Sequence, residues 1–164
     1  MSGASLKGLN DVVANLNKAI KQIEGVTLKG LLRGAIVVRR AMDKTSPLIP
    51  VDTGNMRNSF FVVTYAGDIT QGASPNFVNR PGMEQLAAKM TADHSAVIAT
   101  EKGAISGRKI NITLGFSAYY TAYVHEMVGA NFQRPGAGAK FFQAAFNSTG
   151  PEVFALIKKE AQLK

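Results

Sequence analysis

The apolar residues near the N-terminus constrain this chain more than any other feature. Leu6, Leu9, Val13, Leu16, Ile20 and Ile23 recur at spacings of three and four, the period that lays one apolar stripe along a helix. The spacing predicts a helix over 5–24, stopped by Gly25. A second helical pattern follows, with Thr27 as its N-cap and Leu28, Leu31, Leu32, Ala35, Val38 and Met42 on one face. Lys29, Arg33, Arg39 and Arg40 fall mostly off that face. Ser46-Pro47 ends the pattern, because the residue before proline is pushed out of the helical region. Two such helices form a hairpin, or one packs on a sheet while the other finds a neighbouring subunit.

Beyond the helices the period changes. "SFFVVTY", Ser59 to Tyr65, is aromatic and β-branched between turn-forming segments and reads as a first strand. The polar, glycine- and proline-containing stretch 66–82 is too long for a hairpin turn and reads as a loop. An insertion over about 74–103 carries a helix that stops near Gly103. Ile110, Ile112, Leu114 and Phe116 alternate with polar residues, the period of a half-buried strand over 108–117. "YYTAYVHEMV" supplies a third strand, and the glycine-rich "RPGAGAK" leads to a helix from about Ala139. Thr149-Gly150-Pro151-Glu152 resembles a capping box that opens or restarts a helix. The expected fold is a single α+β domain over 1–164. Its N-terminal helices and a C-terminal helix pack against a small, mainly antiparallel sheet with long loops.

Composition narrows the chemistry. The chain's 164 residues include no cysteine. That excludes disulfides, thiolate metal ligands and a cysteine nucleophile, and it fits a reducing compartment. Nineteen basic against eleven acidic residues give a net charge of +8, which attracts polyanions and equally describes a solvated basic surface. The N-terminus lacks the apolar core of a signal peptide, and no run approaches the ~18–20 apolar residues of a membrane span. The expectation is a soluble, cytoplasmic protein with no membrane partner.

The stretch "PVDTGNMRNSF", Pro50 to Phe60, contains the Asp-Thr-Gly triplet of aspartic proteases. Such a protease needs two carboxylates sharing one proton in a mostly β framework, whereas here helical patterns precede and follow a single triplet. The turn reading is stronger: Pro50 fixes a backbone angle, Asp52 and Thr53 bond nearby amides, and Gly54 permits a positive φ. His94 and His125 are the only histidines. His125 and Glu126, as neighbours on a strand, would face opposite ways and would not share a metal. "RPGAGAK" lacks the spacing and the following Ser or Thr of a nucleotide-binding loop. Arg39-Arg40 and Arg108-Lys109 are short basic pairs able to approach phosphates, without an aromatic stacking platform beside them. Neither a catalytic constellation nor a cofactor motif emerges.

Three segments in order carry a resemblance: "PVDTGNMRNSF" after a long helix, "YYTAYVHEMV" late in the chain, and "RPGAGAKFFQAAF" opening the last helix. Their order resembles the head-tail connector family of tailed bacteriophages, also called tail-completion, neck or minor capsid proteins. The matching positions are Pro50, Asp52, Thr53, Gly54, Met56, Arg57 and Ser59, then Tyr120, Ala122, Tyr123, Val124, His125 and Glu126, then Pro135, Phe141 and Phe142. Thr121 separates Tyr120 from Ala122, and the 74–103 insertion is longer than the family's usual link.

The resemblance implies a non-enzymatic virion subunit without a cofactor, made in the host bacterial cytoplasm. It implies a six-fold homo-oligomeric ring between the portal or its adaptor and the tail tube or terminator, with DNA passing through. Arg57, Tyr120, Tyr123, His125, Glu126, Pro135 and Phe141 are then expected at subunit or partner interfaces, and Arg39, Arg40, Arg108 and Lys109 facing DNA. The alternatives are a tail-terminator ring subunit and, in a different class, a basic nucleic-acid-binding protein without sequence preference.

Overall fold

The two N-terminal helical patterns form one element. The structure, a computed structural model, describes residues 9–67, 69–72, 74–78, 80–105 and 110–161. In it a single helix, α1, runs from Leu9 to Ala41. It passes through Gly25 and Thr27, which were expected to end one helix and cap another. A glycine inside a helix costs about 1 kcal/mol relative to alanine, too little by itself to break a helix whose C-terminal part is packed on α5. The stripe Val13, Leu16, Ile20 and Ile23 continues in step through Thr27 to Gly30 and Gly34, which face the last helix.

That last helix, α5 (Phe141–Ala161), is also continuous, with Pro151 inside it. No helix restarts at Thr149: its hydroxyl donates back to the Ala145 carbonyl at 2.8 Å instead of capping a new turn. Gly150 precedes the proline and has no Cβ, which removes the side-chain part of the clash that normally drives the pre-proline residue out of the helix. A Cβ on Gly30 would lie 2.8 Å from the Ile157 Cα, and one on Gly34 would lie 2.7 Å from a Val153 methyl. The two glycines therefore set the close approach of α1 and α5. Lys29 and Arg33 both pair with Glu160 where α5 ends. Gly30→Val is expected to destabilise the fold by about 1–3 kcal/mol, the range for overpacking, read from the denaturation midpoint. An unchanged midpoint would mean that the helices separate without cost.

Between these helices and a third lies an antiparallel sheet of three described strands, ordered β2 (Ile69–Gln71), β1 (Phe60–Thr64), β3 (Ile112–Phe116). β1 is the central strand and is buried along its whole length, as its unbroken apolar run requires. Phe60 and Val62 point into a core with Ala35 and Val38 of α1, Met42 just beyond its end, and Phe141 and Ala145 of α5. Opposite Phe60 and Val62 in register stand Phe116 and Leu114, which pack on the same core. Phe61 and Val63 point the other way, onto Ile98 of α3 (Glu84–Ala104) and Ile105. The inserted helix is thus the layer that covers the second face of the sheet. The class is α+β, as the sequence implies.

"YYTAYVHEMV" is not a strand. Thr121–Glu126 form a short helix, α4, because Tyr120 and Val124, four apart, pack on the core while Tyr119 and Tyr123, also four apart, are exposed. Strand alternation would have put Tyr120 and Val124 together with Ala122, which is exposed. Among the described residues no helix is long and apolar enough to cross a membrane.

Candidate functional site

The connection after α1 carries Asp43, a residue no motif singled out. One Asp43 oxygen accepts from Arg39 at 2.8 Å and from Arg57 at 3.0 Å, and the other accepts from Arg134 at 2.8 Å. Arg134 also donates to the Ile49 carbonyl at 3.0 Å and to the Asp43 carbonyl at 3.3 Å. One carboxylate thus joins α1, the short helix α2 (Asn55–Asn58) and the "RPGAGAK" loop. Burial acts to raise the Asp43 pKa, but the bonds from Arg134 and Arg39 and the charges of Arg57 and Arg39 outweigh it, so the group sits below its ordinary value. A single negative charge among three guanidiniums leaves the junction net positive.

The same loop is stitched to the chain before Pro50 through its backbone. Leu48 donates to the Gly136 carbonyl at 2.9 Å, and Gly138 donates to the Leu48 carbonyl at 3.1 Å. The turn that follows is as expected at Gly54, whose φ of 85° is left-handed and immediately precedes α2; a side chain there would be strained. Thr53 Oγ1 accepts from the Asn55 amide at 3.4 Å. Asp52 differs from expectation: its exposed carboxylate makes no hydrogen bond among the described residues, and the turn is held by glycine and threonine. Pro50 is buried beneath it. Asn55, also buried, accepts from the Val78 amide at 2.7 Å and ties the long loop to α2.

Around this turn lies a cleft of about 300 Å³, lined by Pro50, Asp52, Thr53 and Gly54 from one side, by Tyr120 and Val124 from another, and by Asn131, Phe132 and Gln133. Two of the three quoted segments and the approach to the third therefore meet at one place. Burial first, and then the neighbouring Tyr119 and Asp52, raise the Tyr120 phenol above its ordinary pKa, against a backbone hydrogen bond with Met56. Tyr120 remains a neutral hydroxyl at the cleft wall.

A second, larger cleft of about 740 Å³ opens on the other side of α4, between Phe116, Phe142, Tyr119 and Asp93. His125 and Glu126 border it. They were expected to face apart as strand neighbours, but on a helix their side chains meet, His125 Nδ1 lying 2.9 Å from a Glu126 oxygen. Lys140 donates to the other Glu126 oxygen. The Lys140 bond and then the His125 bond hold the Glu126 carboxyl below its ordinary pKa. His125 Nε2 and Thr121 Oγ1 are buried without a hydrogen-bond partner among the described residues. Among the described residues no three acidic or histidine side chains gather as a metal site.

The remaining expected interface and DNA-facing positions separate. Phe141 is fully buried in the core and is a packing residue, not a surface one. Tyr123 and Pro135 are exposed. Arg40 is exposed, whereas Arg39 is committed to Asp43 and lies over the Phe60 ring, so it is not a free cation. Arg108 and Lys109 lie outside the described residues. The sequence reading missed Asp43, Arg134 and the buried role of His94. His94 is buried between Ser117 and the Gly72 carbonyl. The only advance signal was Asp43 four residues beyond Arg39, the spacing of a helical ion pair.

Comparison of the chain with protein-family models, with curated proteins and with solved structures gives no match.

Proposed function

We propose that this chain is a structural subunit of the neck of a tailed bacteriophage, forming a ring that joins the DNA-filled head to the tail and lets DNA pass. It acts without catalysis or cofactor. The observation that supports this reading is the convergence of the motif segments: Arg57 from "PVDTGNMRNSF" and Arg134 at the head of "RPGAGAK" both grip Asp43, and Tyr120 closes the adjoining cleft. Segments far apart in sequence thereby build one net-positive corner, suited to an acidic surface on a partner ring. The head-side partner is the portal or its adaptor, and the tail-side partner is the tube or terminator protein.

DNA in such a channel has to slide, so its contacts are basic, sparse and without sequence preference, with Arg40 the exposed candidate. Binding to free duplex should be weak and should fall steeply with salt. The deciding experiment is genetic. A stop codon early in this chain's coding sequence should leave filled heads and finished tails that do not join, and adding the purified chain should restore joining. Normal particles from the mutant would overturn the reading. Tails of uncontrolled length would instead identify a terminator ring, and tight binding to one DNA sequence at physiological salt would identify a DNA-recognition protein.

A further inference from the structure

Two apolar surfaces on this chain have no partner among the described residues, and they complement each other. The first is the N-terminal half of α1, where Val13, Leu16, Ile20 and Ile23 are 47, 59, 45 and 42 % exposed. These four sit at a and d positions of a heptad, and the charged Lys18 and Lys21 stand outside the seam, the pattern of a helix that packs against another element along one narrow line. The seam is the same line that packs on α5 further along, but α5 ends at Ala161 beside Lys29 and Arg33. The helix continues past it as an arm.

The second surface is an apolar groove of about 280 Å³ between α1, β3 and α5, with Leu31, Val38, Ile112 and Leu114 in its walls. Phe146 and Phe154 stand at its edge, 56 and 75 % exposed. The arm cannot enter its own groove. Both lie on one unbroken helix, and at 1.5 Å per residue Ile23 is about 12 Å from Leu31 along the axis, with Val13 farther still.

We infer that the arm of one copy docks in the groove of a second copy, through Leu16 and Ile20 on one side and Phe146 and Phe154 on the other. The contact joins two different patches, so repetition closes into a ring or extends into a filament. It gives the ring of the proposed function a physical route, but it rests on these two surfaces and stands if the neck assignment fails.

The absence of cysteine makes the test direct. Ile20→Cys and Phe154→Cys variants, carrying different tags, are mixed at graded concentration and oxidised. The expected result is a mixed disulfide dimer in several-fold excess over either homodimer, rising with concentration. Adding Leu16→Glu to the arm variant should abolish it while leaving thermal unfolding unchanged, because the Leu16 side chain is exposed in the single copy. A dominant Ile20→Cys homodimer would show arm-on-arm pairing and overturn the inference. Equal formation of all three products, no disulfide at any concentration, or a mixed product indifferent to Leu16→Glu would overturn it equally. The joining assay above reads the neck assignment separately.

Discussion

Replacing His94 with leucine is expected to lower the unfolding free energy by about 2–4 kcal/mol, because a buried hydroxyl and a part-buried carbonyl lose their partner at once. His94 lies on α3, 2 % exposed, with Nδ1 2.6 Å from the Ser117 hydroxyl and Nε2 on the Gly72 carbonyl. A carbonyl only accepts, so Nε2 donates to Gly72, and in the neutral ring Nδ1 then accepts from Ser117. The ring thereby fastens the helix to both flanks of the sheet: Gly72 just after β2, and Ser117 just after β3. Phe61 and Phe77 meet it edge-on. Leucine fills much of the space but satisfies neither group, and Ser117 retains only a distant second acceptor, the Ser59 carbonyl at 3.5 Å. The check is the urea midpoint at constant slope, since a change in slope would report a change in exposed surface instead. A loss smaller than about 1 kcal/mol, the net worth of one ordinary hydrogen bond, would show that His94 is not the fastening of this layer.

Asp43→Ala is expected to cost about 2–3 kcal/mol, the scale of losing charge-assisted hydrogen bonds at a partly buried site with some solvent screening. Three guanidiniums would then repel one another where one carboxylate had held them. The same group gives the stability a definite pH dependence. Its folded pKa is lowered from the ordinary 3.8, so the stabilisation is fully present above that value and is lost as pH falls through the lower folded one. Wild type and Asp43→Asn should therefore converge in stability on acidification and differ most near neutrality. A stability difference that stays constant between neutral and acid pH would remove the carboxylate from this role. Glu126 is lowered as well but is common to both proteins, so the comparison isolates Asp43.

The sequence was most legible where one local preference had no competitor. "SFFVVTY" became the central strand, and the alternation of Ile112, Leu114 and Phe116 became its neighbour. Gly54 took the left-handed backbone predicted for it. It misled where a local stop signal competed with a distant contact. Gly25 and Thr27 read as a break, but the seam through Gly30 and Gly34 meets α5 more than a hundred residues later, and no local window contains that partner. Pro151 read as a restart for the same reason. "YYTAYVHEMV" combines strand-forming residue types with a spacing of four, and the spacing decided. Asp43 stayed hidden because its importance comes from Arg57 and Arg134, which the fold alone brings to it.

The pairing of α1 with α5 joins the first described element of the chain to the last. During synthesis the face of α1 carrying Gly30 and Gly34 leaves the ribosome long before Val153 and Ile157 exist to cover it. The core on Ala35 and Val38 stays open until Phe141 and Ala145 have been translated. Closing so long a loop costs only slightly more entropy than closing a shorter one, but contacts this distant in sequence slow the search for the native state. The nascent protein therefore carries a bare helical seam until α5 has been translated, and its core cannot be completed before then.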